Sequence, residues 1–203
     1  MKTKNANLQR LVLSAMLLGL ATALSLINLF KLPFGGSITL CSMLPLVLIA
    51  QLYGTKWGVL SGLAYGLIQG FIGFNNFSYV PGIAAYIAVA LFDYLLAFGF
   101  IGFAGLTRGK KITAGGMIAG TAIACALRYI CHVISGVVVW REYASLTAIP
   151  EWLYGGALFQ PDTLIYGYSI FYNATYMLPE MLITMAAGAI LASVLKFDRL
   201  MKN

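Results

Sequence analysis

Six long stretches of mostly apolar residues run through this chain of 203 residues, and they limit its possible folds more than any other feature. They cover residues 9–30, 38–53, 57–74, 81–106, 113–139 and 168–196. A helix needs about 20 such residues to cross a bilayer. Only 9% of the residues are charged, where a soluble domain carries about 25%. We therefore predict an all-α membrane protein with six transmembrane helices, forming a single domain over residues 1–203.

The basic residues predict the orientation of these helices. If the N-terminus lies in the cytoplasm, the outer side holds Lys31 and Arg141, and the other basic residues outside the helices lie on the inner side. The inner residues are Lys2, Lys4, Arg10, Lys56, Arg108, Lys110, Lys111, Lys196, Arg199 and Lys202. Cytoplasmic segments carry such an excess, so both termini are expected in the cytoplasm. The net charge of +7 is thus attributed to topology and not to nucleic-acid binding.

Three charged residues lie deep within predicted helices, away from their ends, namely Asp93, Arg128 and Glu180. Counted from the outer ends of their helices, all three reach a depth of about 17 Å. A charge at such a depth costs about 3 kcal/mol on insertion scales, so it is usually paired or functional. One positive and two negative charges leave one negative charge unbalanced, which suits a cationic ligand. Arg128 is expected to pair with Glu180 or Asp93, and Asp93 is the better ligand candidate because Arg128 needs only one partner.

Polar and aromatic residues collect in the outer halves of the last helices. His132, the only histidine, is followed at intervals of four by Gly136 and Trp140, so these residues form one ridge. The sixth helix adds Tyr168 and Asn173, a phenol and an amide that needs partners when buried. With a carboxylate nearby, these groups suit a flat, cationic, heteroaromatic molecule. A histidine that ties helices together and an interfacial belt of aromatic residues are the structural alternatives.

The first helix carries a strip of small residues. Ala15, Gly19 and Ala23 are spaced by four, and small residues in this pattern let another helix approach closely in lipid. The strip fits either packing within the chain or docking of a partner subunit. The sequence has no GxxxxGK[ST] loop for a nucleotide. Transport driven by ATP would therefore need a motor in another protein.

Five segments of the chain resemble the thiamine-specific substrate-binding subunit, or S-component, of energy-coupling factor (ECF) transporters. These segments are LPFGGSITLCSMLPL (32–46), YGTKWGVLSGLAYGLIQ (53–69), FDYLLAFGFIGFAGL (92–106), RYICHVISGVVVWREYA (128–144) and YSIFYNATYMLPE (168–180). They span most of the chain, and the combination of HVISG with YNATYMLPE is specific.

The resemblance implies a six-helix S-component fold in a prokaryotic cell membrane, with thiamine bound near the outer face. It also implies that Ala15, Gly19 and Ala23 meet the membrane-embedded T-component. That component couples to two ATPase subunits that use ATP, and this chain itself is expected to hold no cofactor.

The same resemblance implies which residues contact the substrate. They are Asp93, Tyr94, His132, Trp140, Tyr168 and Asn173. The family often has a glutamate where this chain has the shorter Asp93. There are four further candidates. Tyr79, Tyr143 and Trp152 are aromatic residues of the outer loops that do not align clearly with the family, and Glu180 is the carboxylate within the sixth helix.

Three other functions fit fewer of these features. An S-component for a related flat heteroaromatic, such as a pyrimidine precursor of thiamine, would make less use of the carboxylate if its ligand were neutral. An intramembrane enzyme would need a nucleophile or a metal set. One histidine and three cysteines without metal-ligand spacing do not supply it, so we expect no catalytic residue and no metal site. A purely structural assembly subunit would bind no ligand.

Overall fold

The chain folds into a bundle of helices. The structure, a computed structural model, describes residues 2–195 and 197, so Lys196, Asp198, Arg199 and Lys202 lie outside the described residues. The main helices are α1 (Lys2–Ser25), α2 (Leu44–Tyr53), α3 (Thr55–Ile72), α4 (Gly82–Thr107), α5 (Ala114–Val138) and α6 (Leu164–Val194).

Four helices in the described part of the chain are long and apolar enough to cross a membrane: α1 from Ala6 onward, α4, α5 and α6. The predicted multi-pass helical membrane protein is therefore confirmed in outline. The predicted spans 38–53 and 57–74 correspond to α2 and α3, which do not meet the same measure of length and apolarity.

Helix α2 is short because it lies inside the protein. Its residues Pro45 to Leu52 are all buried, so other helices and not lipid surround it. A helix that is apolar on every side is expected at such a position. Its one buried polar side chain, Gln51, donates hydrogen bonds to the Ala104 carbonyl (2.6 Å) and the Thr107 hydroxyl (2.7 Å). These bonds join α2 to the end of α4.

The segment between α1 and α2 is a β-hairpin, which the sequence did not predict. Strands β1 (Asn28–Lys31) and β2 (Ser37–Thr39) pair in antiparallel fashion, with Lys31 opposite Ser37. The predicted helix over 9–30 therefore ends at Ser25, and the predicted helix over 38–53 begins only at Leu44. The apolar run of β1 lies outside any helix, and all four of its residues are exposed.

The turn between α2 and α3, a π-helical segment in α4 and the packing of α5 against α6 position the site. Gly54, with a φ of +87°, is the single residue between α2 and α3, which confirms the tight turn expected at YGTKWG. Helix α4 changes from α-helix to a π-helical segment over Ala90–Leu95. Such segments widen the helix locally and often occur at functional sites. Helices α5 and α6 lie side by side and are in extensive contact.

Two basic residues, Arg10 and Arg108, lie at one end of the bundle. The guanidinium of Arg10 lies over the ring of Trp57, 4.5 Å from its centroid. The Nε atom of Arg108 donates to the Leu52 carbonyl at 3.1 Å. Both arginines thus contact the turn between α2 and α3, far from the hairpin at the other end of α2.

The long segment between α5 and α6 consists of short 3₁₀ turns, beginning with Arg141–Tyr143.

Candidate functional site

A cavity of about 360 Å³ lies between the hairpin and helices α3 to α6. Its lining includes exposed residues, Lys31 and Asn75, so the cavity reaches the surface at the hairpin end of the bundle. The structure brings together at this cavity all six residues first expected to bind substrate: Asp93, Tyr94, His132, Trp140, Tyr168 and Asn173. A volume of this size suits a small organic ligand.

Asp93, in the π-helical segment of α4, is held by two side chains of α5 and by Trp140, two residues after the end of that helix. Its Oδ1 atom lies 3.0 Å from Nδ1 of His132. Its Oδ2 atom accepts the hydroxyl of Ser135 at 2.7 Å and the indole N–H of Trp140 at 3.0 Å. Ser135 is fully buried and was missed by sequence reasoning, because a single serine in an apolar helix gives no distinctive signal. The carboxylate is therefore oriented by α5, which supplies the imidazole, and by the residue just beyond it that supplies the indole.

Arg128 does not form the ion pair that the sequence suggested. Among the described residues, no carboxylate oxygen lies within 4.0 Å of its guanidinium, so it is salt-bridged neither to Glu180 nor to Asp93. Its Nε atom donates instead to Nε2 of His132 at 3.3 Å. Its Nη1 contacts the sulfur of Met43 at 2.8 Å, and its guanidinium lies over the ring of Phe98 at 4.4 Å from the centroid. A desolvated cation–π contact contributes about 2 kcal/mol, which offsets most of the cost of about 3 kcal/mol for a charge at this depth.

Glu180 has a different set of partners, all from the hairpin and its exit. Its carboxylate accepts the backbone N–H and the hydroxyl of Thr39, both at 2.6 Å, and the hydroxyl of Ser42 at 3.4 Å. The side chain is almost completely buried, although one edge of it lines the cavity. Three donors satisfy the carboxylate without a cation. Glu180 thus fastens the hairpin to α6, which explains the second buried carboxylate without assigning it to a ligand.

Aromatic rings form one wall of the cavity. The ring of Phe34, at the tip of the hairpin, lies 4.4 Å from Tyr143 and 6.2 Å from Trp140 between centroids. Phe34 has a φ of +63°, which is uncommon for a residue with a side chain and turns the ring toward the cavity. Sequence reasoning missed Phe34, since its neighbours Pro33 and Gly35 indicated only a turn. The rings offer flat apolar faces beside the Asp93 carboxylate.

The polar residues of α6 are largely engaged with one another. The amide nitrogen of Asn173 donates to the Ser169 carbonyl at 2.9 Å and the His132 carbonyl at 3.3 Å, and its oxygen accepts the phenol of Tyr176 at 2.7 Å. These bonds join α5 and α6 across the cavity wall. Tyr168 stacks on Tyr172 with centroids 5.8 Å apart. Asn173 therefore links α5 to α6 in addition to lining the cavity.

The secondary site candidates divide into two groups. Tyr143 and Glu180 line the cavity, whereas Tyr79 and Trp152 are not among the described residues that do so. Trp152 is 79% exposed in the segment between α5 and α6. Tyr79 accepts the phenol of Tyr143 on its carbonyl at 2.6 Å, so it supports the wall from outside. Both lie between the long helices, where no periodicity predicts which way a side chain points.

Two further predictions concern the surface and metal binding. Ala15, Gly19 and Ala23 are all exposed on α1, and a Cβ atom built on Gly19 would meet nothing within 4 Å. The strip therefore faces away from the rest of the chain, which excludes the alternative of internal packing. Within the described residues, no group of three or more His, Cys, Asp or Glu side chains is placed to hold a metal ion.

Comparisons with known proteins agree with this architecture. Residues 11–199 match the family described as thiamine transporter protein. The chain is 32% identical over 194 residues to the thiamine transporter ThiT of Bacillus subtilis strain 168, covering 89% of this chain and 88% of that protein. It is also similar to a solved structure of ThiT from Listeria monocytogenes, with a TM-score of 0.71 and 24% identity, covering 96% and 98% of the two chains. At that identity the structural likeness shows a shared fold.

Proposed function

This chain belongs to the thiamine transporter family, and we propose that it is the thiamine-binding S-component of an ECF-type transporter that captures the vitamin from outside the cell. The family consists of transporters and not of enzymes, so the intramembrane-enzyme alternative is set aside. The observation that supports the proposal most strongly is the cavity that places the Asp93 carboxylate beside the rings of Trp140 and Phe34.

In this proposal Asp93 provides the charge complement of the ligand. Thiamine carries a permanent positive charge on its thiazolium ring. The three hydrogen bonds that reach Asp93 come from groups that hold it in place, and a carboxylate has room for about four such contacts. A thiazolium ring against the carboxylate and the neighbouring aromatic faces would gain charge attraction together with cation–π contact of about 0.5–2 kcal/mol per ring.

The remaining site residues would hold the uncharged part of the molecule. Tyr168 and Tyr172 present stacked rings on the α6 side of the cavity. Asn173, also on α6, donates to the backbone carbonyl of His132 on α5, and the two residues would present polar groups where these helices meet. Tyr94, whose hydroxyl donates to the Gly73 carbonyl at 3.1 Å, closes the α3 side.

The proposed topology has six membrane-embedded helices with both termini in the cytoplasm. Arg10 and Arg108 meet at one end of the bundle, and the cavity reaches the surface at the other end, near Lys31. The excess of basic residues supports the proposal that the first end lies on the cytoplasmic side. The mouth of the cavity would then face outward, in the cell membrane of a prokaryote.

Energy for uptake would come from partner subunits. The exposed strip of Ala15, Gly19 and Ala23 is proposed to dock on the T-component, because its flat surface lets a helix approach closely in lipid. The T-component would couple it to two ATPase subunits. No cofactor is assigned to this chain.

Titration of the purified protein with thiamine, followed by tryptophan fluorescence, tests the proposal. Stacking of the ligand near Trp140 should quench the signal, with a Kd in the micromolar range or tighter, about −8 kcal/mol or better. Trp140→Phe should remove most of the quench. Trp152→Phe is the matched control, since that indole is exposed and away from the cavity. Absence of saturable binding, or a neutral pyrimidine precursor that outcompetes thiamine, would reject the proposal.

A further inference from the structure

Three side chains form a continuous hydrogen-bonded line beneath the aromatic wall of the cavity. Nε of Arg128 lies 3.3 Å from Nε2 of His132, and Nδ1 of His132 lies 3.0 Å from Oδ1 of Asp93. Arg128 and His132 are one helical turn apart on α5, so their contact follows from the helix itself. Asp93 comes from the π-helical segment of the neighbouring helix.

The direction of these bonds assigns the proton on the imidazole. Arginine has donors only and stays protonated in proteins, so Nε2 of His132 must accept and carries no hydrogen. The proton then lies on Nδ1, which donates it to Asp93. In a histidine, the bond at one ring nitrogen determines the protonation of the other. His132 is therefore a neutral imidazole in this arrangement.

The other groups around His132 do not change this assignment. From α4 the ionisable partner is Asp93, whose other oxygen accepts only the neutral donors Ser135 and Trp140. From α6 the nearest ring is that of Tyr176, 6.1 Å away between centroids, and its phenol is occupied by Asn173. Glu180 also lines the cavity from α6, but its carboxylate is bonded to Thr39 and Ser42 at the hairpin.

We propose that Arg128 is a positioning residue that keeps His132 neutral and so preserves the negative charge of Asp93 for a cationic ligand. A protonated His132 would form an ion pair with Asp93 and reduce the charge of that pair from −1 to zero. The guanidinium forms no ion pair with Asp93, because it is directed at His132, Met43 and Phe98. The consequence for binding rests on the proposed function, whereas the protonation state of His132 does not.

Removal of Arg128 would free Nε2 to take a proton from water. The resulting imidazolium would keep its bond from Nδ1 to Asp93, now as a salt bridge. Thiamine would have to compete with that internal cation. Affinity would therefore fall with decreasing pH in a variant without the arginine, and it would stay constant in the natural chain.

The imidazole can be observed directly because the chain has a single histidine. In ligand-free protein labelled with ¹⁵N-histidine, we expect one protonated and one unprotonated ring nitrogen in the natural chain from about pH 8 to about pH 5.5, across the range in which a free imidazole titrates. Arg128→Met should instead show both ring nitrogens protonated at the lower pH. Arg128→Lys keeps a cationic donor and is the matched control, expected to follow the natural chain.

Thiamine titrations of the same three proteins measure the consequence. If the imidazole of Arg128→Met takes up a proton within this range, its Kd for thiamine should rise severalfold from pH 8 to pH 5.5, up to about tenfold. The natural chain and Arg128→Lys should change by less than about twofold. A doubly protonated imidazole in the natural chain, a flat profile in Arg128→Met, or a lysine variant that titrates like the methionine variant would overturn the inference. Failure of the natural chain to bind thiamine at all would instead count against the proposed function, and the ¹⁵N spectra would still decide the role of Arg128.

Discussion

Thr39 donates both its backbone N–H and its hydroxyl to the carboxylate of Glu180, each at 2.6 Å, so the end of β2 is fastened to the middle of α6. This relationship separates the two buried carboxylates of the chain. Glu180 is satisfied by the hairpin, whereas Asp93 lies beside the aromatic wall of the cavity and is oriented by α5. Although the sequence predicts a similar depth in the membrane for both carboxylates, their roles therefore differ.

Glu180→Gln should destabilise the protein more than it weakens ligand binding. The amide would present a donor or a weaker acceptor to the two groups of Thr39, and a bond to a charged group contributes about 1.5–3 kcal/mol. We expect the free energy of unfolding in detergent to fall by about 2–3 kcal/mol, with a lower Tm. Glu142→Gln, at an exposed position, should leave the Tm unchanged.

The opposite pattern would reverse these roles. If Glu180→Gln abolished thiamine binding at an unchanged Tm, Glu180 would be the ligand carboxylate and not a fastener of the hairpin.

Gly136 should not tolerate a side chain. A Cβ atom at this position of α5 would lie 2.0 Å from Oγ and 2.9 Å from Cβ of Ser169 on α6, so the Ser169 side chain or the helix that carries it would have to move. Overpacking of this kind typically costs about 1–3 kcal/mol, and we expect Gly136→Ala to lower the Tm. Gly115→Ala is the control on the same helix, where a Cβ atom meets nothing within 4 Å. Equal Tm values for the two variants would show that α5 and α6 are not this close.

The helical part of the fold could be predicted from the sequence because long apolar runs have few alternatives. Helices α4 and α5 begin and end within about one residue of their predicted bounds, 81–106 and 113–139. Helical spacing was equally informative, since His132, Gly136 and Trp140, spaced by four, all line the cavity.

The hairpin and the partners of the buried charges could not be predicted in this way. Residues 28–31 are as apolar as a helix end, and only their pairing with β2 makes them a strand. The partner of Arg128 was predicted by balancing charges at equal depth. That reasoning did not consider Met43, Phe98 and His132, which receive the guanidinium without any carboxylate.

Gly19→Leu should separate binding from transport. The residue is exposed, and nothing lies within 4 Å of a Cβ atom built there, so the isolated protein should keep its Tm and its Kd for thiamine. In cells that also contain the T-component and both ATPase subunits, we expect uptake of labelled thiamine to fall more than about tenfold, because a bulky residue prevents close helix approach. Ala186→Leu, on the exposed face of α6, is the control and should transport normally. Normal uptake by Gly19→Leu would place the docking surface elsewhere.

The central claim, that Asp93 holds a cationic vitamin through its charge, is tested most directly by calorimetric titration of the natural chain and of Asp93→Asn with two ligands. One is thiamine, and the other is an uncharged isostere in which a neutral ring replaces the thiazolium. We predict that Asp93→Asn weakens thiamine binding about 100-fold, about 3 kcal/mol, and changes the Kd of the isostere by less than about fivefold. An equal loss for both ligands, or no loss for thiamine, would contradict the claim.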